Sequence, residues 1–287
     1  MNLSGLRSRW VKAGGVRTHY TEAGGDGPVI LALHGGGHGS SGLSGMGALM
    51  AQLADDFRIV APDSIGGYGL TDAAAPAPHG LISRADHARD VADALCLEKF
   101  TILGNSQGAF AATLYAMDNP ERVERLVCIG SLTLGGAMGI EQAPTPALKA
   151  LMSYDGTPEA MRRMLQGLVS DPSKITEELI ARRQASATRP GAMEAMAQYT
   201  KITGGLAKHP ILGMKMDMRV SLPRLTQTIP TIFIWGTEDT FALPATGHAI
   251  EALLPAAKFH WVPGGHQVQT DQPAAVANII RKFILGA

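Results

Sequence analysis

The sequence is poor in the features that mark several classes of protein. Its 287 residues include two cysteines, Cys96 and Cys128, so a disulfide-rich scaffold is excluded. Both cysteines fall in predicted buried elements, as expected for small core side chains in a reducing compartment. Aromatic residues make up 5%, and 25 basic residues balance 25 acidic ones, so no surface for polyanions is indicated.

Long apolar segments are also missing. No run reaches the roughly 20 residues that a membrane-spanning helix needs. The first ten residues contain Arg7 and Arg9 but no apolar stretch, which does not fit a signal peptide. These observations predict a cytoplasmic protein.

Glycine, in contrast, is abundant, with 34 residues. One group of glycines has a defined context, because Gly104-Asn-Ser-Gln-Gly108 stands between the β-rich run Phe100–Leu103 and the small-residue stretch Ala109–Met117. This order of strand, sharp turn and helix is typical of a nucleophile elbow. The pattern therefore predicts that Ser106 is a nucleophile beside a helix N-terminus.

Strand and helix patterns alternate through most of the chain, which predicts an α/β fold with a mostly parallel sheet and helices on both faces. Residues 10–12 and 16–21 alternate apolar and polar side chains around a glycine turn and predict an antiparallel hairpin. The predicted buried strands are Val29–Leu33, Phe57–Ala61, Phe100–Leu103, Val123–Ile129, Thr231–Trp235 and Lys258–Val262.

Between residues 135 and 225 the strand signals stop. This segment has Met-rich helical patterns, including Pro158–Val169, Ile175–Ala187 and Gly191–Lys201. It predicts a helical cap inserted into an α/β core that comprises residues 1–134 and 226–287. A cap above the carboxyl edge of the sheet would form one wall of an apolar pocket.

A serine hydroxyl needs a base, and the base needs an orienting carboxylate. We predict His266 as the base, because it follows the last strand on a glycine turn. Its rival His34 lies in the glycine loop after the first buried strand, where it is better suited to brace that loop. His248 falls in a predicted helix and His260 in a strand.

For the acid, we predict Asp239, which follows the strand that ends at Trp235; Glu238 is its neighbour. The other usual place is after the strand that ends at Ile129, but residues 130–140 contain neither Asp nor Glu. The resulting chain order of serine, aspartate and histidine is the one found in α/β-hydrolases.

The motifs resemble those of the α/β-hydrolase superfamily over nearly the whole chain. Within it, the sequence is most similar to the meta-cleavage product hydrolases, which cut a C–C bond in 2-hydroxy-6-oxo-dienoates. The matching pieces are Leu33-His-Gly-Gly-Gly37, the elbow with Asn105 before Ser106, Trp235-Gly-x-x-Asp239-x-Phe241, and Ile175-Thr-Glu-Glu-Leu179 followed by Arg183.

The resemblance implies further roles. The oxyanion donors would be the backbone N–H groups of Gly36 or Gly37 and of Gln107. Arg183 would hold the substrate carboxylate, and Asn105 and Gln267 would contact the substrate.

The sequence departs from the family at three positions. Gln267 stands where an aromatic residue usually follows the histidine, Gly45 where an Asn is usual, and Gln107 where Met is frequent. The departures at 267 and 45 affect residues that line the family's pocket, so a carboxylesterase or lactonase stays an alternative. A ligand-binding protein without catalysis is a third reading.

The expected ligand is a small molecule rather than nucleic acid or a membrane, with no cofactor or metal. The sequence does not fix the oligomeric state, and a homodimer is one option.

Overall fold

The computed structural model describes residues 5–286, and within that range the chain folds around a twisted eight-stranded sheet. The strands are Arg7–Ala13 (β1), Val16–Ala23 (β2), Val29–Leu33 (β3), Arg58–Pro62 (β4), Phe100–Asn105 (β5), Val123–Ile129 (β6), Thr231–Gly236 (β7) and Lys258–Val262 (β8).

Helices connect the strands and fill the long segment before β7. They are Gly42–Leu53 (α1), Ser83–Ala94 (α2), Gln107–Asp118 (α3), Leu132–Ala137 (α4), Pro146–Met152 (α5), Pro158–Gln166 (α6), Glu177–Ala187 (α7), Ala192–Gly205 (α8), Leu212–Met216 (α9), Ser221–Thr228 (α10), Pro244–Leu253 (α11), Val268–Asp271 (α12) and Pro273–Leu285 (α13). Four short 3-10 turns lie at Gly80–Ile82, Pro120–Arg122, Pro172–Lys174 and Leu206–Lys208.

The strand order is β1-β2-β4-β3-β5-β6-β7-β8. The β1–β2 hairpin is antiparallel, and β2 also pairs antiparallel with β4. All pairs from β4 to β8 are parallel. The predicted fold class is confirmed, and β5 lies near the middle of the sheet.

Alternate residues of the parallel strands enter two separate cores, because successive side chains of a strand point to opposite faces. On one face Leu31, Ile102 and Phe233 pack with α2 and α3. On the other face Ile30 and Ile232 pack with α1 and α13. Each face is therefore sealed by helices, as a parallel sheet requires.

The helices between β6 and β7 include a third apolar cluster, separate from the two cores of the sheet. Met161, Met164 and Ile180 belong to it, and Phe241 joins it from the loop after β7. The cluster supports a cap in this segment, although the limits 135–225 stay a prediction. In the described part of the chain, none of the helices combines the length and apolarity needed to cross a membrane.

The prediction for one cysteine is wrong: Cys96 is exposed, whereas Cys128 is buried as expected. Cys96 follows the end of α2 with a φ of 52°, and this left-handed turn directs its side chain to solvent.

Candidate active site

Ser106 sits at the turn between β5 and α3. Its φ of 56° and ψ of −121° are unfavourable for a residue with a Cβ, and such strain concentrates at functional sites. Its backbone N–H donates to the carbonyls of Ile129 (2.9 Å) and Gly130 (3.1 Å), which hold the turn against the end of β6. The strained serine therefore stands at the N-terminus of α3, where free N–H groups face outward.

The two flanking glycines are required by close packing. A Cβ at Gly104 would lie 2.2 Å from the carbonyl oxygen of Gly108, and a Cβ at Gly108 would lie 2.1 Å from that of Leu33. Both obstacles are backbone atoms, which cannot move aside. The glycine spacing of the motif is thus a steric condition for bringing α3 close to β5 and β3.

The loop after β3 brings main chain beside the serine. A Cβ on Gly35 would lie 3.3 Å from Cβ of Ser106. His34 braces this loop: its Nδ1 donates to the carbonyl of Gly35 (2.7 Å), and its Nε2 accepts from the N–H of Ser64 (3.1 Å). The bracing role predicted for His34 is what its contacts support, because both ring nitrogens are engaged.

His266 and Asp239 form a buried pair at the ends of β8 and β7. Nδ1 of His266 lies 2.8 Å from Oδ2 of Asp239, and the two side chains are almost fully shielded from solvent. Oδ1 of Asp239 accepts the N–H groups of Phe241 and Ala242, each at 2.8 Å. With Asp239 ionised, Nδ1 carries the imidazole proton, and Nε2 is left as a proton acceptor.

The turn that carries His266 is anchored to the segment after α6. Oδ2 of Asp271 accepts the N–H of Gly265 (2.7 Å) and the N–H of Ser170 (2.9 Å). The N–H of Gln267 donates to the carbonyl of Leu168 (2.7 Å). The histidine is consequently fixed from two sides.

Ser106 and His266 line one cavity of about 130 Å³. Nε2 of His266 is buried and has no hydrogen-bond partner in the described residues. The imidazole packs against Phe241 with ring centroids 4.5 Å apart and the ring planes tilted by 32°. Apolar side chains form much of the remaining wall: Leu132, Leu148, Leu151, Met152 and Leu168.

The structure brings most of the predicted site residues to this cavity. Its lining includes Gly36, Gly37, Asn105, Gln107 and Gln267. The amide nitrogen of Asn105 donates to the carbonyls of Ile129 and His266, so this side chain also ties the elbow to the histidine turn.

Arg183 does not line the cavity. It is 1% exposed on α7, behind the glycine loop, with Nη2 bound to the carbonyl of His38 (3.0 Å) and to Oγ of Ser40 (2.7 Å). A Cβ on Gly37 would lie 3.6 Å from this Nη2. Across residues 5–286 Arg183 makes no salt bridge, and burial lowers its pKa to about 10.

The groups around the side chain of Gln107 were not predicted from the sequence. Tyr68, Arg84 and Tyr199 all contact its carboxamide oxygen. They come from a loop, from α2 and from α8, so no local motif links them. Within the described range, no group of three or more His, Cys, Asp or Glu is arranged to hold a metal ion.

The sequence matches the family of the alpha/beta hydrolase fold over residues 28–273. The chain belongs to the alpha/beta hydrolase family. This hydrolase is 28% identical to the 2-hydroxy-6-oxo-2,4-heptadienoate hydrolase of Pseudomonas putida, over 99% of the chain and 98% of the relative. It is 29% identical to the 2-hydroxymuconate semialdehyde hydrolase of Pseudomonas sp., over 97% and 94%.

Solved structures of the same fold superpose on this chain. The hydrolase superposes on a point mutant of the meta-cleavage product hydrolase CumD with a TM-score of 0.79 and 28% identity, covering 97% of this chain and 98% of the other. A lipase from Acinetobacter baumannii at 23% identity and a TM-score of 0.78, covering 99% and 93%, shares the fold. The predicted resemblance to meta-cleavage product hydrolases is confirmed.

Proposed function

We propose that this hydrolase uses Ser106, His266 and Asp239 to cleave a C–C bond in a 2-hydroxy-6-oxo-dienoate. The observation that carries the proposal is the buried guanidinium of Arg183 beside Gly37, which has no carboxylate partner in the described chain. A cation in an apolar surrounding is costly unless an anion neutralises it. The carboxylate of a dienoate is such an anion, and the substrates named for the relatives carry one.

The serine step follows from the contacts of the buried pair. Asp239 holds Nδ1 of His266, so Nε2 takes the proton of Ser106 as the hydroxyl attacks the ketone at C6. The developing oxyanion would accept the N–H of Gln107 and the N–H of Gly36 or Gly37. Each such donor is worth about 3 kcal/mol in comparable sites.

Breaking the C–C bond also requires a stabilised leaving carbon. The dienol must first become a ketone at C2, so that the electron pair of the C5–C6 bond can spread through C3 and C4 to the oxygen on C2. Ketonisation moves the enol proton to C5, so on cleavage His266 gives its proton to the oxygen on C2 and the fragment leaves as a dienol. Water activated by the same imidazole then releases the acyl group from Ser106. Arg183 would fix the carboxylate bidentately throughout.

The experiment is a substrate panel with matched arginine variants. Dienoates with methyl or phenyl on C6 are compared with p-nitrophenyl acetate. We expect turnover of the methyl dienoate above the phenyl one, because a cavity of about 130 Å³ is below the ~300–1,000 Å³ of typical ligand sites. Arg183→Ala should raise KM and lower kcat for the dienoate and affect the neutral ester much less. Arg183→Lys should rescue only in part.

Arg182→Ala is the matched control, because the neighbouring Arg182 pairs with Glu178 on the exposed side of α7. It should behave like the unmodified enzyme on both substrates. Equal losses of dienoate and ester turnover in Arg183→Ala would mean that Arg183 is structural, and the carboxylate assignment would be wrong.

A carboxylesterase or lactonase activity is the second candidate. It is favoured by one observation: Arg183 stays outside the lining of a cavity whose outer wall is largely apolar. Brisk ester cleavage with no dienoate turnover by the unmodified enzyme would select it, and Gln267 would then be the first residue to vary.

A further inference from the structure

The carboxamide of Gln107 is held in one orientation. Its oxygen lies within hydrogen-bond distance of the hydroxyls of Tyr199 (3.0 Å) and Tyr68 (3.2 Å) and of Nη1 of Arg84 (3.3 Å). A guanidinium has donors and no acceptor, so the atom facing Arg84 must be the carboxamide oxygen. The NH₂ group therefore points the other way.

The three donors are themselves fixed. Arg84 is 3% exposed and also binds the carbonyl of His34 and Oγ of Ser64 (3.1 Å). Burial raises the pKa of both Tyr68 and Tyr199, so each keeps its hydroxyl proton at neutral pH. The anchor of the carboxamide is thus built from a cation and two neutral donors.

The NH₂ group of Gln107 has no hydrogen-bond partner among residues 5–286. It is also absent from the fully buried unpartnered atoms of that range, so it keeps open space around it. Gln107 lines the Ser106 cavity, and a Cβ on Gly36 would lie 2.7 Å from both Cδ and Oε1 of its carboxamide and 3.0 Å from Nε2. The whole carboxamide therefore lies against Gly36 at the cavity wall, with its oxygen engaged by three donors and its NH₂ group unpartnered.

Two side chains consequently flank neighbouring residues of the glycine loop. The carboxamide of Gln107 lies against Gly36, and the guanidinium of Arg183 lies against Gly37. A dienoate whose C6 is attacked by Ser106 and whose carboxylate extends towards Arg183 would run along this loop, past the carboxamide of Gln107. The oxygen on C2 is the acceptor that lies between these two ends of the substrate.

We propose that Nε2 of Gln107 donates a hydrogen bond to the oxygen on C2 of the dienoate, an inference that rests on the C–C hydrolase function proposed above. The electron pair of the breaking C5–C6 bond ends on this oxygen, which then accepts the proton from His266. The side-chain N–H of Gln107 thus stabilises the leaving dienolate at the C2 oxygen. The backbone N–H of the same residue would stabilise the oxyanion formed at C6.

The binding test uses Ser106→Ala, in which the substrate binds without cleavage. The bound dienoate is titrated by the long-wavelength absorbance of its ionised form, with and without Gln107→Met. The backbone N–H survives this change, but the side-chain donor is lost. We expect the pKa of the bound enol to rise by about one unit or more, as for loss of a hydrogen bond to a charged oxygen.

The kinetic test uses Gln107→Met and Gln107→Glu with Ser106 intact. The glutamate keeps an oxygen for Arg84 and the tyrosines but replaces the NH₂ group with a second oxygen, so dienoate kcat should fall further than with methionine. Relative to p-nitrophenyl acetate, dienoate kcat should fall about 10- to 100-fold with methionine. If one variant fails to fold, the other decides.

The outcomes separate the two proposals. An unmodified enzyme that neither binds nor cleaves the dienoate refutes the C–C hydrolase function. An enzyme that cleaves it, while the Gln107 variants keep both the dienoate-to-ester ratio and the pKa of the bound enol, refutes the role of Gln107 alone. For Tyr199→Phe, dienoate kcat relative to the ester should lie between the values of the unmodified enzyme and of Gln107→Met. Two of the three groups that hold the carboxamide oxygen, Tyr68 and Arg84, remain in this variant.

Discussion

Two buried histidine–aspartate pairs occur among residues 5–286, and one of these two lies at the cavity with Ser106. His266 and Asp239 approach to 2.8 Å at the carboxyl ends of β8 and β7. His19 on β2 and Asp63 after β4 approach to 2.7 Å through the same atoms, Nδ1 and Oδ2. By distance and burial the two pairs are equivalent.

The aspartates differ in what else they hold. Asp239 accepts N–H groups from its own loop. Asp63 accepts the N–H of Gly42 and the N–H of Leu70, both at 2.7 Å, and thereby joins α1, the β4 loop and the hairpin strand β2. The second carboxylate is a structural junction between segments distant in sequence.

The outer nitrogens differ as well. Nε2 of His19 is occupied by Oγ of Ser8 at 2.8 Å, which completes a serine–histidine–aspartate chain. Ser8, however, is the second residue of the edge strand β1, in extended conformation and exposed. It has neither a strained turn nor a helix N-terminus beside it. A serine–histidine–aspartate chain of hydrogen bonds is thus not sufficient for the role proposed for Ser106, which also depends on the strained turn and the helix N-terminus at that serine.

The largest expected effect separates the two serines. Ser106→Ala should lower turnover by about 10⁴-fold or more, because the attacking oxygen is lost. Ser8→Ala should leave turnover within about twofold, since Ser8 lies on an exposed edge strand and outside the cavity that Ser106 and His266 line. Steady-state kinetics on the better substrate of the panel measures both.

A phosphonylating reagent sharpens the same test. We expect one adduct, on Ser106, identified by mass spectrometry of the digested protein. An adduct on Ser8, or full activity of Ser106→Ala, would mean that the wrong serine has been assigned.

The next effect separates the two aspartates. Asp239→Asn should lower kcat by about 10⁴-fold, because the amide favours the wrong imidazole tautomer. Glu238→Gln, at the neighbouring position, should be mild. Asp63→Asn should do the reverse: it should cost about 3 kcal/mol of unfolding free energy through weakened charged hydrogen bonds, with most activity retained per folded molecule.

Urea unfolding and active-site titration distinguish these effects. A stable but inactive Asp63→Asn enzyme would mean that the His19–Asp63 pair acts in catalysis rather than in stability. A Glu238→Gln enzyme more impaired than Asp239→Asn would show that the acid was assigned to the wrong residue.

The sheet, the elbow and the His266–Asp239 pair could be predicted from the sequence, because each depends on residues that lie close together in the chain or directly after a strand. The elbow combines a strand, two glycines and a helix within a short stretch, and Gly104 and Gly108 are dictated by backbone atoms 2.2 Å and 2.1 Å from their would-be Cβ atoms. His266 and Asp239 follow strands directly, and parallel strands bring their carboxyl ends to one edge of the sheet.

The unpredicted features depend on contacts between distant segments. Tyr199 reaches Gln107 from 92 residues away, and His19 reaches Asp63 from 44 residues away. No periodicity encodes such pairs. Arg183 carries a sequence motif, but its burial behind Gly37 follows from how α7 packs on the glycine loop, where a Cβ on Gly39 would lie 2.0 Å from the carbonyl oxygen of Arg183.

The smallest effect concerns a buried histidine that has no aspartate partner in the described chain. His87 lies under β2 with Nε2 at 2.8 Å from Oγ1 of Thr18. Burial and the charge of Arg84 lower its pKa to about 4. In the unfolded chain a histidine titrates near 6.5, so on acidification the unfolded state takes up the proton first. The stability is present above about pH 6.5 and is lost as the pH falls towards 4.

The expected contribution of His87 to this loss is about 3 kcal/mol of unfolding free energy. His87→Gln cannot take up the proton, so its stability should fall less steeply between about pH 7 and pH 4. Urea unfolding of both proteins across that range measures the difference in slope, and other acid-sensitive groups cancel because they are common to both. Parallel curves would mean that the pKa of His87 is not lowered in the folded protein.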